Sequence, residues 1–274
     1  MDPTIVDTDR HPLDDPALVD RVRAELRDSG CCVLPGFVRA EQVEALRAEG
    51  RALAPLAHHQ TAIVNVYNTD PDPTLPAEHP AHRPLERGNA FVARDRIPAD
   101  ALIQRLHADR AVQRFVAAAF GLPEVFPLAD PLSGLVLNVV APGREHPWHF
   151  DTNEFTVSLQ TQAAEAGGLF QYCPGIRSPQ EENLDAVTAV LDGDHRGVRT
   201  LELRPGDLQL FAGRYSLHRV SPVEGGRERH TAILAYSRRP GVVGTATRTR
   251  QLFGRVTRTH TVPAGPGRVD RLLI

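Results

Sequence analysis

The sequence contains no lysine: all 31 of its basic residues are arginines. Codon bias is the plainest account, since both side chains are well solvated at a surface. The absence still excludes any chemistry that runs through a lysine Schiff base. Cysteine is scarce as well, with only Cys31, Cys32 and Cys173. Adjacent cysteines seldom bridge and three cannot build a disulfide framework, so a reducing compartment is expected. Their spacing fails the zinc–thiolate patterns too. No stretch approaches the roughly 20 apolar residues of a membrane span. Met1 to Pro12 lacks the apolar core of a signal peptide, and the expected location is cytoplasmic. A net charge of -3 gives no field that would draw in a polyanion, so neither nucleic acid nor membrane is an expected partner.

What is present suits one globular domain over 1–274, with 41% hydrophobic and 24% charged residues. Asp15-Pro16 reads as a helix cap and first turn. Leu18, Val19, Val22 and Leu26 then recur at helical spacing until Gly30. Cys31 to Leu34 is a short strand, and a second helix is expected from Ala40 to about Ala52. Residues 56–97 show little periodicity and read as long loops, while 98–107 and 110–120 read as helices. From 124 the texture changes to strands at Leu135–Val140, Phe155–Thr161, Arg199–Leu203, Leu208–Phe211 and Thr231–Tyr236. Pro205-Gly206-Asp207 signals a type II turn among them. The expected fold is mainly β with helices: a jelly-roll core over 124–240, a helical and looped portion over 1–123 packed on one side, and a C-terminal extension over 241–274.

His146-Pro-Trp-His149-Phe-Asp151 is the most informative segment. Residues two apart on an extended backbone project to one face, so His149 and Asp151 can offer a nitrogen and an oxygen to one cation. His218, tens of residues later and just after a clear strand, supplies a third donor. Two histidines and a carboxylate on one face of an octahedron make the facial triad of non-haem iron(II) oxygenases, whose other face stays open. With 12 histidines in the chain, an isolated His-x-Asp is weak evidence, and His58, His59, His195 and His260 are read as surface or satisfied core groups. The further pattern strengthens it. Arg229 and Thr231 share a face at the start of a later strand. A guanidinium fork beside a hydroxyl suits the distal carboxylate of 2-oxoglutarate, with Arg227 as the alternative anchor.

On these residues, together with His218-x-Val220-x-Pro222, the sequence resembles the iron(II)/2-oxoglutarate oxygenases of the double-stranded β-helix fold over roughly 135–240. Glu165-Ala-Gly-Gly168, Arg177-Ser-Pro-Gln-Glu-Glu-Asn183 and Gly213-Arg-Tyr-Ser-Leu-His218 make it similar to a bacterial group that hydroxylates or halogenates small molecules, notably free amino acids. Halogenating members carry glycine where Asp151 stands, which frees a metal position for chloride. The aspartate therefore implies hydroxylation. The resemblance implies iron(II), 2-oxoglutarate and dioxygen as cofactor and cosubstrates, and a small-molecule substrate such as a free amino acid or natural-product precursor. A homodimer is left open.

Residues expected to flank the open metal face are His146, Thr152 and Asn138, with Arg214 as a partner for a substrate carboxylate and Arg83 and Arg87 on a lid. Trp148 lies in the same segment, where a wall or core role competes. Thr152 offers no fixed partner for a substrate ammonium. Two rival readings remain: desaturation or cyclisation at the same site, and a metal-binding barrel without redox chemistry, acting as sensor, hydrolase or isomerase.

Overall fold

The computed structural model describes residues 4–70, 72–261 and 272–273; most of the expected C-terminal extension beyond Thr261 lies outside them. Ten strands build the two main sheets: β1 (Cys31–Leu34), β2 (Ala90–Val92), β3 (Leu135–Val140), β4 (His146–His149), β5 (Thr156–Gln162), β6 (Phe170–Cys173), β7 (Arg199–Leu201), β8 (Leu208–Phe211), β9 (Leu217–Val220) and β10 (Arg229–Leu234). A six-stranded antiparallel sheet runs β1-β8-β5-β10-β3-β2, and a four-stranded one runs β7-β6-β9-β4. Side chains from both sheets line one cavity between them.

The far face of the six-stranded sheet is covered by helices. These are α1 (Pro16–Ser29), α2 (Val43–Leu53), α3 (Leu102–Ala108) and α4 (Arg110–Ala119). Leu18 and Val22, Leu46 and Leu53, Ile103 and Leu106, and Phe115 and Val116 bury against Leu137, Leu159, Leu210 and Leu234 in one cluster. The caps are as the local chemistry dictates. Asp15 accepts from the Ala17 amide, and Gly30 takes the left-handed conformation at φ 68°. Gly206, at φ 94°, makes the turn before β8. The Asp207 carboxylate fastens that turn by accepting from the Gly36 and Arg204 amides, both at 2.8 Å.

The expected helix from Ala40 starts as a 3-10 turn over Ala40–Gln42, and the one expected from 98 begins only at Leu102. Residues 56–97 are not loop throughout. Ala62–Val64 pairs with Leu85–Arg87, and β2 closes one edge of the large sheet. Three-residue strands are too short to show a period. Two more helices escaped pattern reading, α5 (Leu184–Leu191) and α6 (Ala246–Phe253). The second, Ala-Thr-Arg-Thr-Arg-Gln-Leu-Phe, has too few apolar residues to mark a buried stripe. Among the described residues no helix is long and apolar enough to cross a membrane.

Candidate metal centre and its cavity

Strand β4 lies beside β9 so that His149 sits directly opposite His218, with ring centroids 4.1 Å apart. Each imidazole is oriented by its own backbone. His149 Nδ1 lies 2.8 Å from the Pro147 carbonyl and His218 Nδ1 2.9 Å from that of Ser216. A carbonyl only accepts, so each Nδ1 carries the proton and each Nε2 presents a bare lone pair. Asp151 Oδ1 lies 3.8 Å from His149 Nε2 and 3.6 Å from His218 Nε2. The three donors lie within 4.8 Å of one another.

The other carboxylate oxygen, Oδ2, accepts from the Thr156 hydroxyl at 2.6 Å. The Asp151 amide donates to the Gly213 carbonyl at 3.1 Å, and a Cβ on Gly213 would stand 1.9 Å from Oδ2. Only glycine leaves room for this carboxylate. Burial by itself would raise the Asp151 carboxyl, but the His218 and His149 imidazoles and the Thr156 hydroxyl outweigh it and hold it well below the usual carboxylate range. Burial pushes His149 down, and His218 beside it adds to the effect. Both residues therefore stand at neutral pH in the protonation state a metal needs. Two imidazole nitrogens and one carboxylate, with no thiolate among them, suit iron(II).

The backbone between the ligands is clamped. The Phe150 amide donates to the Val66 carbonyl at 2.8 Å, and the Arg177 guanidinium lies 3.7 Å over the Phe150 ring. Arg177 in turn pairs with Glu182 at 2.8 Å and donates to the Arg214 carbonyl at 2.7 Å.

The triad opens onto a cavity of about 650 Å³. Arg229 and Thr231 reach it from β10. Arg229 is 4% exposed and Nη1 donates to the Thr231 hydroxyl, which sits 3.2 Å from Gln160 Oε1. Burial lowers the guanidinium to about 10. Among the described residues no charged group offsets that burial, the environment of a cation kept for an anionic ligand. Arg227 is exposed and donates to the Ala163 and Ala164 carbonyls, so it does not reach the cavity.

His146, Thr152 and Asn138 also line the cavity. His146 stacks on His149 at 3.9 Å, and its Nε2 has no partner among the described residues. Asn138 accepts from Asn89 at 2.9 Å. Arg87 is buried just behind the wall. Three expected residues stand elsewhere. Trp148 packs in the second apolar cluster, with the Arg219 guanidinium 4.8 Å over its ring. Arg83 pairs with Asp192. Arg214 is fully buried outside the cavity lining. Among the set-aside histidines, His195 packs on Trp148 and His260 bonds Asp130 at 2.9 Å.

Pattern reading missed Thr156, Gly213, Ser158, Gln209 and Arg248. For Thr156 and Ser158 a signal existed: they alternate with the core residues Val157 and Leu159 along β5. Gly213 opens the motif that ends at His218, but its role there was not readable, and Arg248 carried no signal, because a close approach and a helix docked over a cavity are tertiary facts.

A family model described as Halogenase D matches residues 14–250. No curated protein matches the chain. Among solved structures, an oxidoreductase of the 2OG-Fe(II) oxygenase family from Burkholderia pseudomallei is 19% identical, with a TM-score of 0.52 over 82% of this chain and 92% of that one. AviO1 from Streptomyces viridochromogenes is 18% identical, with a TM-score of 0.55 over 81% and 96%. EctD from S. alaskensis, solved with 2-oxoglutarate and 5-hydroxyectoine, is 20% identical, with a TM-score of 0.51 over 79% and 75%. At these identities the likeness is one of fold.

Proposed function

The chain belongs to the Halogenase D family, and on that premise we propose that it is an iron(II)- and 2-oxoglutarate-dependent oxygenase that hydroxylates an unactivated C–H bond of a small molecule. His149, Asp151 and His218 hold the iron, and Arg229 with Thr231 anchors the distal carboxylate of 2-oxoglutarate. The observation that carries this reading is one cavity holding both a three-donor group and a buried guanidinium with no counter-charge among the described residues.

Bound iron(II) supplies the redox chemistry: 2-oxoglutarate loses carbon dioxide to become succinate, taking one atom of dioxygen, and the substrate C–H bond takes the other. The chain's own residues bind and orient. Pro147 and Ser216 keep the imidazole protons away from the metal side. Thr156 holds one carboxylate oxygen and leaves the other for the metal. Arg229 fixes the cosubstrate from the far end, and the apolar wall of Phe91, Val136 and Ile233 limits water. Despite the family's name, hydroxylation is favoured over halide transfer, because Asp151 fills the position a halide would need and Gly213 leaves space for it.

The test is succinate release by anaerobically iron-loaded protein, exposed to air with 2-oxoglutarate and a panel of free amino acids and related metabolites. One compound should stimulate release and gain one oxygen atom. A product lighter by two hydrogens would mean desaturation or cyclisation instead. If 2-oxoglutarate gives no visible charge-transfer band with the anaerobic iron protein, the oxygenase reading fails and a non-redox metal site replaces it.

A further inference from the structure

A second arginine, Arg248, faces the cavity, and among the described residues no carboxylate forms an ion pair with it. Helix α6 starts at the cap Thr245, whose hydroxyl accepts from the Arg248 amide at 3.3 Å. The helix is fastened to β2 by the edge-on contact of Phe253 with Phe91, at 6.4 Å between centroids. Arg248, Thr249 and Leu252 thereby become part of the cavity wall. Among the described residues the side chain of Arg248 makes only a long 3.4 Å contact, to Gln251 Oε1. Arg87 reaches the same glutamine from the other side, donating from Nη2 to its carbonyl at 2.9 Å. Its Nε and Nη1 have no partner among the described residues.

Two guanidinium groups thus flank one neutral glutamine. Arg248 is partly exposed and lines the cavity. Desolvation first, and then the charge of Arg87, lowers it to about 9. The Arg248 charge bears on His146 and His149, and the Asp151 carboxylate on Arg248 in turn, so the group stands close to the metal centre. A protein that buries two like charges with nothing between them leaves a place for an anion.

The remaining lining narrows what that anion belongs to. Asp151 is the only acid among the cavity's described residues; its Oδ2 accepts from Thr156, and its Oδ1 stands beside the two Nε2 atoms as the third metal donor. Thr152 and Asn153 beside it are neutral. Among the described wall residues no free carboxylate stands ready to balance an ammonium group, while Phe91, Val136, Ile233 and Leu252 provide apolar surface.

We propose that Arg248, backed by Arg87, receives a carboxylate of the substrate, and that this substrate has no free ammonium group: it is an acid with an apolar body whose amine is missing or masked as an amide. This rests on the oxygenase reading for its assignment of Arg229 to 2-oxoglutarate. The ternary complex then holds two carboxylates on two separate guanidinium groups.

Calorimetry on manganese(II)- and 2-oxoglutarate-loaded protein tests it with N-acetyl-leucine, N-acetyl-valine and N-acetyl-phenylalanine, each beside its primary amide and its free amino acid. At least one N-acetyl acid should bind about ten- to a hundredfold more tightly than its amide, the range of a charge-assisted fork, and more tightly than the free amino acid. Arg248→Gln should remove that advantage while leaving the affinities for the amide and 2-oxoglutarate unchanged. Arg248→Lys, which keeps the charge and loses the fork, should restore part of it. The proposal is overturned if no acid outperforms its amide, if free amino acids bind as well as the acylated ones, or if Arg248→Gln weakens 2-oxoglutarate itself, which would assign the guanidinium to the cosubstrate. Failure of 2-oxoglutarate to bind the wild-type protein would sink the oxygenase reading alone, since the acid–amide comparison can be repeated on metal-free protein.

Discussion

The two faces of the six-stranded sheet differ as much as the interior and surface of a protein do, although both are buried. On the helix-covered face, Leu137, Val157, Leu159, Leu210 and Leu234 pack into one apolar cluster with the helices. On the cavity face the residues between them are Asn138, Ser158, Gln209, Arg229, Thr231 and Ile233. One face supplies stability through apolar burial, worth about 25 cal/mol per Å². The other holds polar groups out of bulk water, each costing about 1–3 kcal/mol unless bonded. The short side-chain chain Arg229–Thr231–Gln160 and the Ser158–Gln209 pair at 3.0 Å offset part of that cost. Folding rests on the first face and ligand chemistry on the second.

This division can be broken from either side. The largest effect is expected from His218→Ala, which should abolish stoichiometric iron binding and cut succinate formation on the order of a thousandfold, with an unchanged circular dichroism spectrum. Retained turnover would remove His218 from the metal. Next is Leu137→Ala on the helix-covered face. It should cost about 2–5 kcal/mol in urea unfolding, while the protein that remains folded binds iron normally. Loss of iron binding without loss of stability would show that the faces are not separate in function.

Arg229→Gln should raise the KM for 2-oxoglutarate about ten- to a hundredfold. Its folding stability should hold or rise, because an uncompensated buried cation disappears. Thr156→Val should weaken iron binding by about tenfold, measured by competition with a chelator. An equal affinity would mean that Asp151 needs no help in orienting.

The smallest effect is a pH effect on the helix side. Burial lowers His107 to about 4, where its Nε2 donates to the Ala235 carbonyl at 3.0 Å. A histidine depressed in the folded state contributes stability that is complete above its unfolded value near 6.5 and is lost as pH falls toward 4. Between pH 7 and 5.5 this loss is about 1 kcal/mol. His107→Gln should remove it from the pH dependence of urea unfolding, and a slope identical to wild type would assign the acid sensitivity elsewhere.

Much of the site was legible because strand geometry is local. The spacing His149-x-Asp151 and Arg229-x-Thr231 places each pair on one face whatever the rest of the chain does. The structure brings both pairs to the same cavity. His218 needed a longer inference, from a strand two turns of chain earlier, and the pairing with β4 puts it opposite His149. Arg214 was chosen by nearness to His218 and Arg83 by its place in a long loop, while Trp148, inside the motif, takes the core role weighed for it. The two arginines turn elsewhere because chain position does not decide which way a side chain packs. Gly213 shows the reverse: its motif with His218 is legible, but its role is not, since the Asp151 carboxylate from a distant segment occupies the space its missing side chain leaves.

The sequence by itself determined the mixed sheet-and-helix class, the helix caps, the strand alternation and the residue types of a facial triad, since each follows from backbone sterics, hydrophobic period or ligand chemistry within a few residues. Only the tertiary structure decided that Thr156 and Gly213 hold the carboxylate, that Arg227 stays outside, and that α6 carries Arg248 to the cavity wall. Those outcomes depend on which distant segments meet, and that is set by how the whole chain buries its apolar surface.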